Sequence, residues 1–136
     1  MPQPSDERKR FLESFAPKAV EFAAKQSGYQ APSGAKPVIA FSDKPVVDRQ
    51  GNELTAYSTS GIIMLTPKWR PDLAGQAALV HEITHWLQDK AGKAKDKASW
   101  PELERQGYAA RDAYYRSMGF EPPAMTPAQT GATGGR

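Results

Sequence analysis

The chain of 136 residues contains no cysteine and only two histidines. The first absence excludes disulfide bonds and thiolate metal sites, so any metal would have to be held by nitrogen and oxygen donors. It also leaves the redox compartment unmarked. No run approaches the roughly 18 consecutive apolar residues that a membrane-spanning helix needs, and the N-terminus lacks the apolar stretch of a signal peptide. The expectation is a soluble protein without a membrane span, cytoplasmic or secreted after removal of a leader. A dominant charge sign is missing too, the formal net charge being +3. The basic residues at Arg8-Lys9-Arg10 and at Lys90, Lys93, Lys95 and Lys97 lack the interleaved aromatics of a nucleic-acid platform. They read as solvated faces, and no nucleic-acid partner is expected.

What the chain does have is one dense stretch, His81-Glu82-Ile83-Thr84-His85, inside a run with helical patterning from Asp72 to Ala91. Residues four apart on a helix lie one above the other, so His81 and His85 can direct two imidazoles at one ion. Glu82, one step round the helix, can reach a water held by that ion. The apolar residues Leu73, Leu79, Val80, Ile83, Trp86 and Leu87 fall mainly on the other side. Burial of that stripe leaves the histidines and Glu82 facing a cleft.

The length fits a single domain, expected over residues 1–120, with a Pro-, Gly-, Ala- and Thr-rich tail at 121–136 expected to be disordered. From Asp6 to Lys25 an apolar stripe of Phe11, Phe15, Ala19, Phe22 and Ala23 predicts helix, broken or kinked at Pro17 and stopped at Gly28. Strands are predicted at 37–42, near Val46-Val47 with a turn at Gln50-Gly51-Asn52, and at 54–58 and 62–65 around a short Thr59-Ser60-Gly61 link. The short link predicts an antiparallel pair, and the middle of the chain a small, mostly antiparallel sheet of three or four strands. Asp72 is the expected N-cap of the motif helix. A last helix is predicted from about Pro101 to Met118. The fold class expected is α+β, the sheet packed on the N-terminal and motif helices.

A catalytic zinc site takes three protein ligands and leaves a fourth position open. With both histidines used and no cysteine, the third ligand must be a carboxylate, and the acids downstream are Asp89, Asp96, Glu102, Glu104, Asp112 and Glu121. Asp89 lies one turn beyond His85, too far along the same axis to close a compact tripod. Asp96 falls in a charged loop. Ser99-Trp100-Pro101-Glu102 fits a capping box, which gives Glu102 another task. Glu104 has no such task. His85 lies about six residues, ~9 Å, from its helix end, and Glu104 about five residues, ~7.5 Å, into the next helix. Antiparallel packing would bring them level. The expected ligands are His81, His85 and Glu104.

The motif His81-Glu82-Ile-Thr-His85-Trp-Leu-Gln88, followed by Glu102-Leu-Glu104-Arg-Gln-Gly-Tyr108, resembles the small glutamate-zincins, compact relatives of thermolysin-type metallopeptidases. It looks closest to small bacterial and phage proteins with a similar pair of helices. The likeness covers about residues 54–118, and its first motif is much the more specific. It implies a zincin-like fold, a zinc site of His81, His85 and Glu104, and Glu82 as general base and acid. It also implies a strand within Leu54–Leu65 that binds an extended peptide by edge pairing. Two positions depart from the pattern. Where thermolysin-like enzymes place an Asp four residues after the ligand Glu to orient a histidine, this chain has Tyr108, with Asp112 one turn later. The expected small Ala is Gly107. The function expected is a zinc metallopeptidase acting on a peptide or protein substrate. The rival is a zinc-containing module that binds without cleaving, and a third reading is hydrolysis of a non-protein amide such as a cell-wall cross-link. Tyr57, Tyr108, Arg111, Tyr114 and Tyr115 are all candidates to stabilise an oxyanion.

Overall fold

A computed structural model describes residues 4–93 and 96–124. Helix α1 (Pro4–Ser27) leads into strand β1 (Val38–Phe41), then strands β2 (Ala56–Thr59) and β3 (Ile62–Leu65), and then helix α2 (Leu73–Lys90). A 3₁₀ turn at Lys97–Ser99 precedes helix α3 (Trp100–Ser117). The architecture is α+β: among the described residues, three α-helices and one small mixed sheet.

The hairpin forms where the sequence predicts it. Ser60 and Gly61 both have positive φ, 50° and 79°, and Thr59 pairs with Ile62 across them. That is the two-residue turn whose twist matches the strands. The sheet order, however, is β1-β3-β2, with β1 parallel to β3. The expected mostly antiparallel sheet is thus corrected to a mixed one. A short link dictates antiparallel pairing only for the strands it joins, and the long segment from Ser42 to Thr55 lets β3 enter between β1 and β2. Within that segment Val46-Val47, expected as a strand or a hairpin, forms no strand but a small hairpin, with an isolated antiparallel bridge from Val47 to Glu53 across the expected turn. Asp48 closes its loop by accepting from the backbone N–H groups of Gln50 and Asn52.

Pro17 does not divide the first helix into two. α1 runs through it, because Glu13, whose carbonyl loses its partner, and Pro17 itself are exposed, so water can take the place of the missing bond. The buried stripe Leu12, Phe15, Ala19 and Ala23 anchors the helix on both sides of the proline. Phe15 and Phe22 meet Tyr114 of α3 edge-on.

Helix α2 is the centre of the molecule. α1, α3 and the sheet all pack on it, and Leu79, Val80, Ile83, Thr84, His85, Leu87 and Gln88 are wholly buried. Asp72 caps it as expected, accepting from the Gly75 N–H at 2.9 Å. α3 runs antiparallel to it: Gln88 bonds to Leu103 and Gln106, His85 meets Glu104, and Gln76 meets Tyr114. The expected capping box at the start of α3 does not form. Ser99 is already helical and its side chain caps nothing, because the 3₁₀ turn feeds straight into the helix and Asp96 caps that turn instead, through the Ala98 N–H. Glu102 pairs at the surface with Arg105. No described helix is long and apolar enough to cross a membrane. Residues 121–124 form no regular element, and the tail expected at 125–136 lies outside the described residues.

The first turn of α2 rests directly on the preceding loop. Buried Trp69 donates its indole N–H to the Gly75 carbonyl at 2.8 Å, and a Cβ on Gly75 would lie 1.6 Å from the Arg70 carbonyl oxygen. Gly75→Ala should therefore destabilise the protein by at least about 2 kcal/mol. Asp72→Ala, which removes only the cap, should cost about 1 kcal/mol. Urea denaturation of the two variants measures the order, and an alanine at 75 no worse than one at 72 would contradict the close approach.

Candidate metal centre

The two histidines leave α2 on the face that meets α3, one turn apart. Glu104, on the first turns of α3, comes level with them because the helices run antiparallel. The Nε2 atoms of His81 and His85 lie 3.0 Å apart, and Glu104 Oε1 lies 2.8 Å from the first and 2.9 Å from the second. All three residues are buried, His85 completely. Among the described residues they form the group whose ligand atoms could hold a metal ion.

Three electron-pair donors this close attract one another only when a cation lies among them. A proton can serve, and so can a metal. Ligand atoms about 2.0–2.2 Å from a tetrahedral zinc stand about 3.3 Å apart, so the observed spacing needs to open by only a few tenths of an ångström. Two further features suit an ion. Glu104 Oε2 is buried without a hydrogen-bond partner, an expensive state for a carboxylate oxygen unless a cation takes it up. And Gly107 clears the space, since a Cβ there would stand 3.2 Å from ring atoms of both histidines.

Glu82 stands beside this group without joining it. Its Oε1 accepts from the Ser58 hydroxyl at 2.7 Å, while Oε2 is 3.8 Å from His81 Nε2. Ser58 lies on β2 opposite Ile63, so it shares the sheet face that packs on α2. Neighbouring Tyr57 alternates with Ser58 along β2 and faces away from α2 at the strand backbone. Tyr114 is held by Gln76 among the phenylalanines of α1, and Tyr115 is buried in the core. Tyr108 touches the group, its ring 4.3 Å from that of His81, with the Arg111 guanidinium 5.0 Å from the centre of the Tyr108 ring. Asp112 is paired with Arg111. The partner of His85 is neither of these but Gln88, whose Oε1 lies 2.8 Å from Nδ1. Neither Ser58 nor Gln88 was named as a site residue from the sequence, and for Ser58 no signal existed. For Gln88 a signal existed, since i+3 places it on the face of His85.

The charges are strongly coupled. Burial pushes the Glu104 carboxyl up, but hydrogen bonds from His81 and His85 outweigh it and hold the group down at about 2. Burial pulls His85 down, yet the bond to Glu104 and the negative charges of Glu82 and Glu104 leave it raised above its ordinary value. The signs follow by linkage. Glu104 contributes stability that is present above its ordinary value of 4.5 and lost as pH falls through its folded value. His85 contributes stability that is present below 6.5 and lost as pH rises through its folded value. Metal-free protein should thus be most stable between those two ordinary values and weaken on either side. Because a metal competes with the proton, added zinc should raise the melting temperature most on the alkaline side. Thermal unfolding with chelator and with zinc across the pH range checks both statements, and a zinc effect that is largest in acid would contradict the assignment.

No family model matches the chain, and neither a curated protein nor a solved structure is similar enough to count as a match.

Proposed function

We propose that this protein is a zinc-dependent peptidase of the zincin type, with His81, His85 and Glu104 as the metal ligands and Glu82 as the group that carries the proton. The observation that supports it is the convergence of three buried donors, within 3.0 Å of one another, beside a second acid turned aside from them. Two histidines and a carboxylate suit zinc and leave a position open. When bound, zinc supplies Lewis acidity to the scissile carbonyl and acidifies a water.

The protein side chains do the rest. Glu82 is anchored on one oxygen by Ser58 and keeps the other toward the ligand group. From there it takes a proton from the attacking water and delivers it to the leaving amine. A purely structural metal would have no use for this acid. β2 lies at the edge of the sheet, bonded to β3 on one side only, so a peptide or protein substrate in extended form can add to it next to Ser58. Tyr108, against His81, is the nearest of the candidate oxyanion donors.

Purified protein should hold about one zinc per chain. His81→Ala, His85→Ala and Glu104→Gln should each lose tight binding, whereas Glu102→Gln, which touches only the surface pair with Arg105, should keep it. Tight stoichiometric zinc in either histidine variant would end this reading of the site. Glu82→Gln keeps the shape and the Ser58 contact but lacks the basic oxygen. It should retain zinc and fold while losing at least about a hundredfold in cleavage of a degenerate peptide library. Equal cleavage by wild type and variant would expose a contaminant or another base, and no cleavage by zinc-loaded wild type would favour a non-catalytic binding module.

A further inference from the structure

Behind His85 lies a chain of hydrogen bonds that the peptidase reading does not use. Gln88 is wholly buried. Its Oε1 faces His85 Nδ1 at 2.8 Å, and its Nε2 donates to the Leu103 carbonyl at 2.9 Å and to Gln106 Oε1 at 3.1 Å. Gln106 Oε1 also accepts from the Tyr29 hydroxyl at 2.7 Å. The fixed point is the Leu103 carbonyl. It can only accept, so the group facing it must be the Gln88 NH₂. A reversed amide would set oxygen against oxygen in a buried place, which costs more than a lost bond. The Gln88 oxygen therefore faces His85, and an oxygen there can only accept.

From this we infer that Gln88, locked by Leu103 and by the Tyr29–Gln106 pair, is the positioning residue that fixes the His85 ring with its proton on Nδ1. The Nε2 lone pair is thereby aimed at His81 and Glu104. The inference deepens the metal-centre reading and, for its consequence on zinc, rests on it. One side chain does two things at once. It sets the donor atom of His85, and it ties α2 to the residue immediately before Glu104, so the second and third ligands share one buried anchor. Use of a neutral amide rather than a carboxylate adds no second negative charge behind the histidine, which leaves Glu104 as the anionic ligand.

The test is read from the ring nitrogens of His85 by nuclear magnetic resonance on protein labelled at histidine, in the metal-free form at alkaline pH and in the zinc-loaded form. Wild type should show hydrogen on Nδ1 in both forms and none on Nε2 once zinc is bound. Gln88→Met, which keeps length but neither accepts nor donates as an amide does, should lose that signature and weaken zinc binding about 10- to 100-fold. Tyr114→Phe removes the bond to Gln76 between the same two helices and should leave both readouts unchanged, separating positioning from general loosening of the α2–α3 contact. An Nδ1 without hydrogen in wild type, metal-free or zinc-loaded, would overturn the inference without any variant having to fold. So would a Gln88→Met protein with wild-type ring signals and zinc affinity within about twofold. Wild type that binds no zinc would end the metal-centre reading, while the ring signals alone would still decide the role of Gln88.

Discussion

A helix buried on every side from Leu79 to Gln88 that nonetheless carries His81, Glu82, Thr84, His85 and Gln88 is the constraint on which this structure turns. Each buried polar group must find a partner or cost of the order of 1–3 kcal/mol. Thr84 satisfies itself by donating to the Val80 carbonyl. The others cannot, and their needs determine what lies against α2. Glu82 requires a hydroxyl from β2, Gln88 requires the Leu103 carbonyl, and the histidines require Glu104. The sheet edge and the start of α3 are therefore held where α2 needs them. Apolar contacts supply the bulk of the adhesion, but they are non-directional. It is the polar partners that select one register of α3 on α2.

That register also explains why the third member of the donor group comes from a second helix. Further acids on α2 itself lie a turn away along the axis, where the backbone cannot bend a carboxylate back to the pair. Asp89 is exposed at the end of the helix. An antiparallel neighbour brings a carboxylate in sideways. Gly107, one turn along from Glu104, lets the neighbour come close enough. Glycine within a helix costs about 1 kcal/mol relative to alanine, and here close approach to two imidazoles supplies the compensation.

What was legible in the sequence was local, or followed from counting. The i, i+4 histidines, the Asp72 cap and the Ser60-Gly61 turn are properties of a few adjacent residues. Glu104 could be named because a chain with two histidines and no cysteine leaves only carboxylates, and helix rise singles one out. The misreadings share a different origin. The direction of β1 depends on where a long segment returns. The start of α3 depends on whether Asp96 or Ser99 takes the first free N–H groups, a competition between near-equals. Pro17 reads as a break or a kink when its cost is counted, and the exposure of Glu13 explains why the helix is not broken there. Ser58 and Gln88 escaped because a serine on a strand and a glutamine on a helix are common, and only the partner across the interface makes either one special.

The two buried carboxylates of the site show how position alone divides their work. Glu104 arrives from outside α2 and meets both imidazoles with one oxygen, and their hydrogen bonds overcome the penalty of burial. Glu82 is the immediate chain neighbour of His81, and that adjacency turns its side chain away from the line joining the two Nε2 atoms. The α2 backbone thus keeps Glu82 out of the ligand group, and Ser58 prevents it from swinging back. A carboxylate that served as a ligand would have its basic electron pairs occupied by the cation. One held a few ångströms away, by a hydroxyl that engages a single oxygen, keeps an electron pair for a proton. The same helical offset that makes the histidines a pair places this acid beside the donor group and not within it.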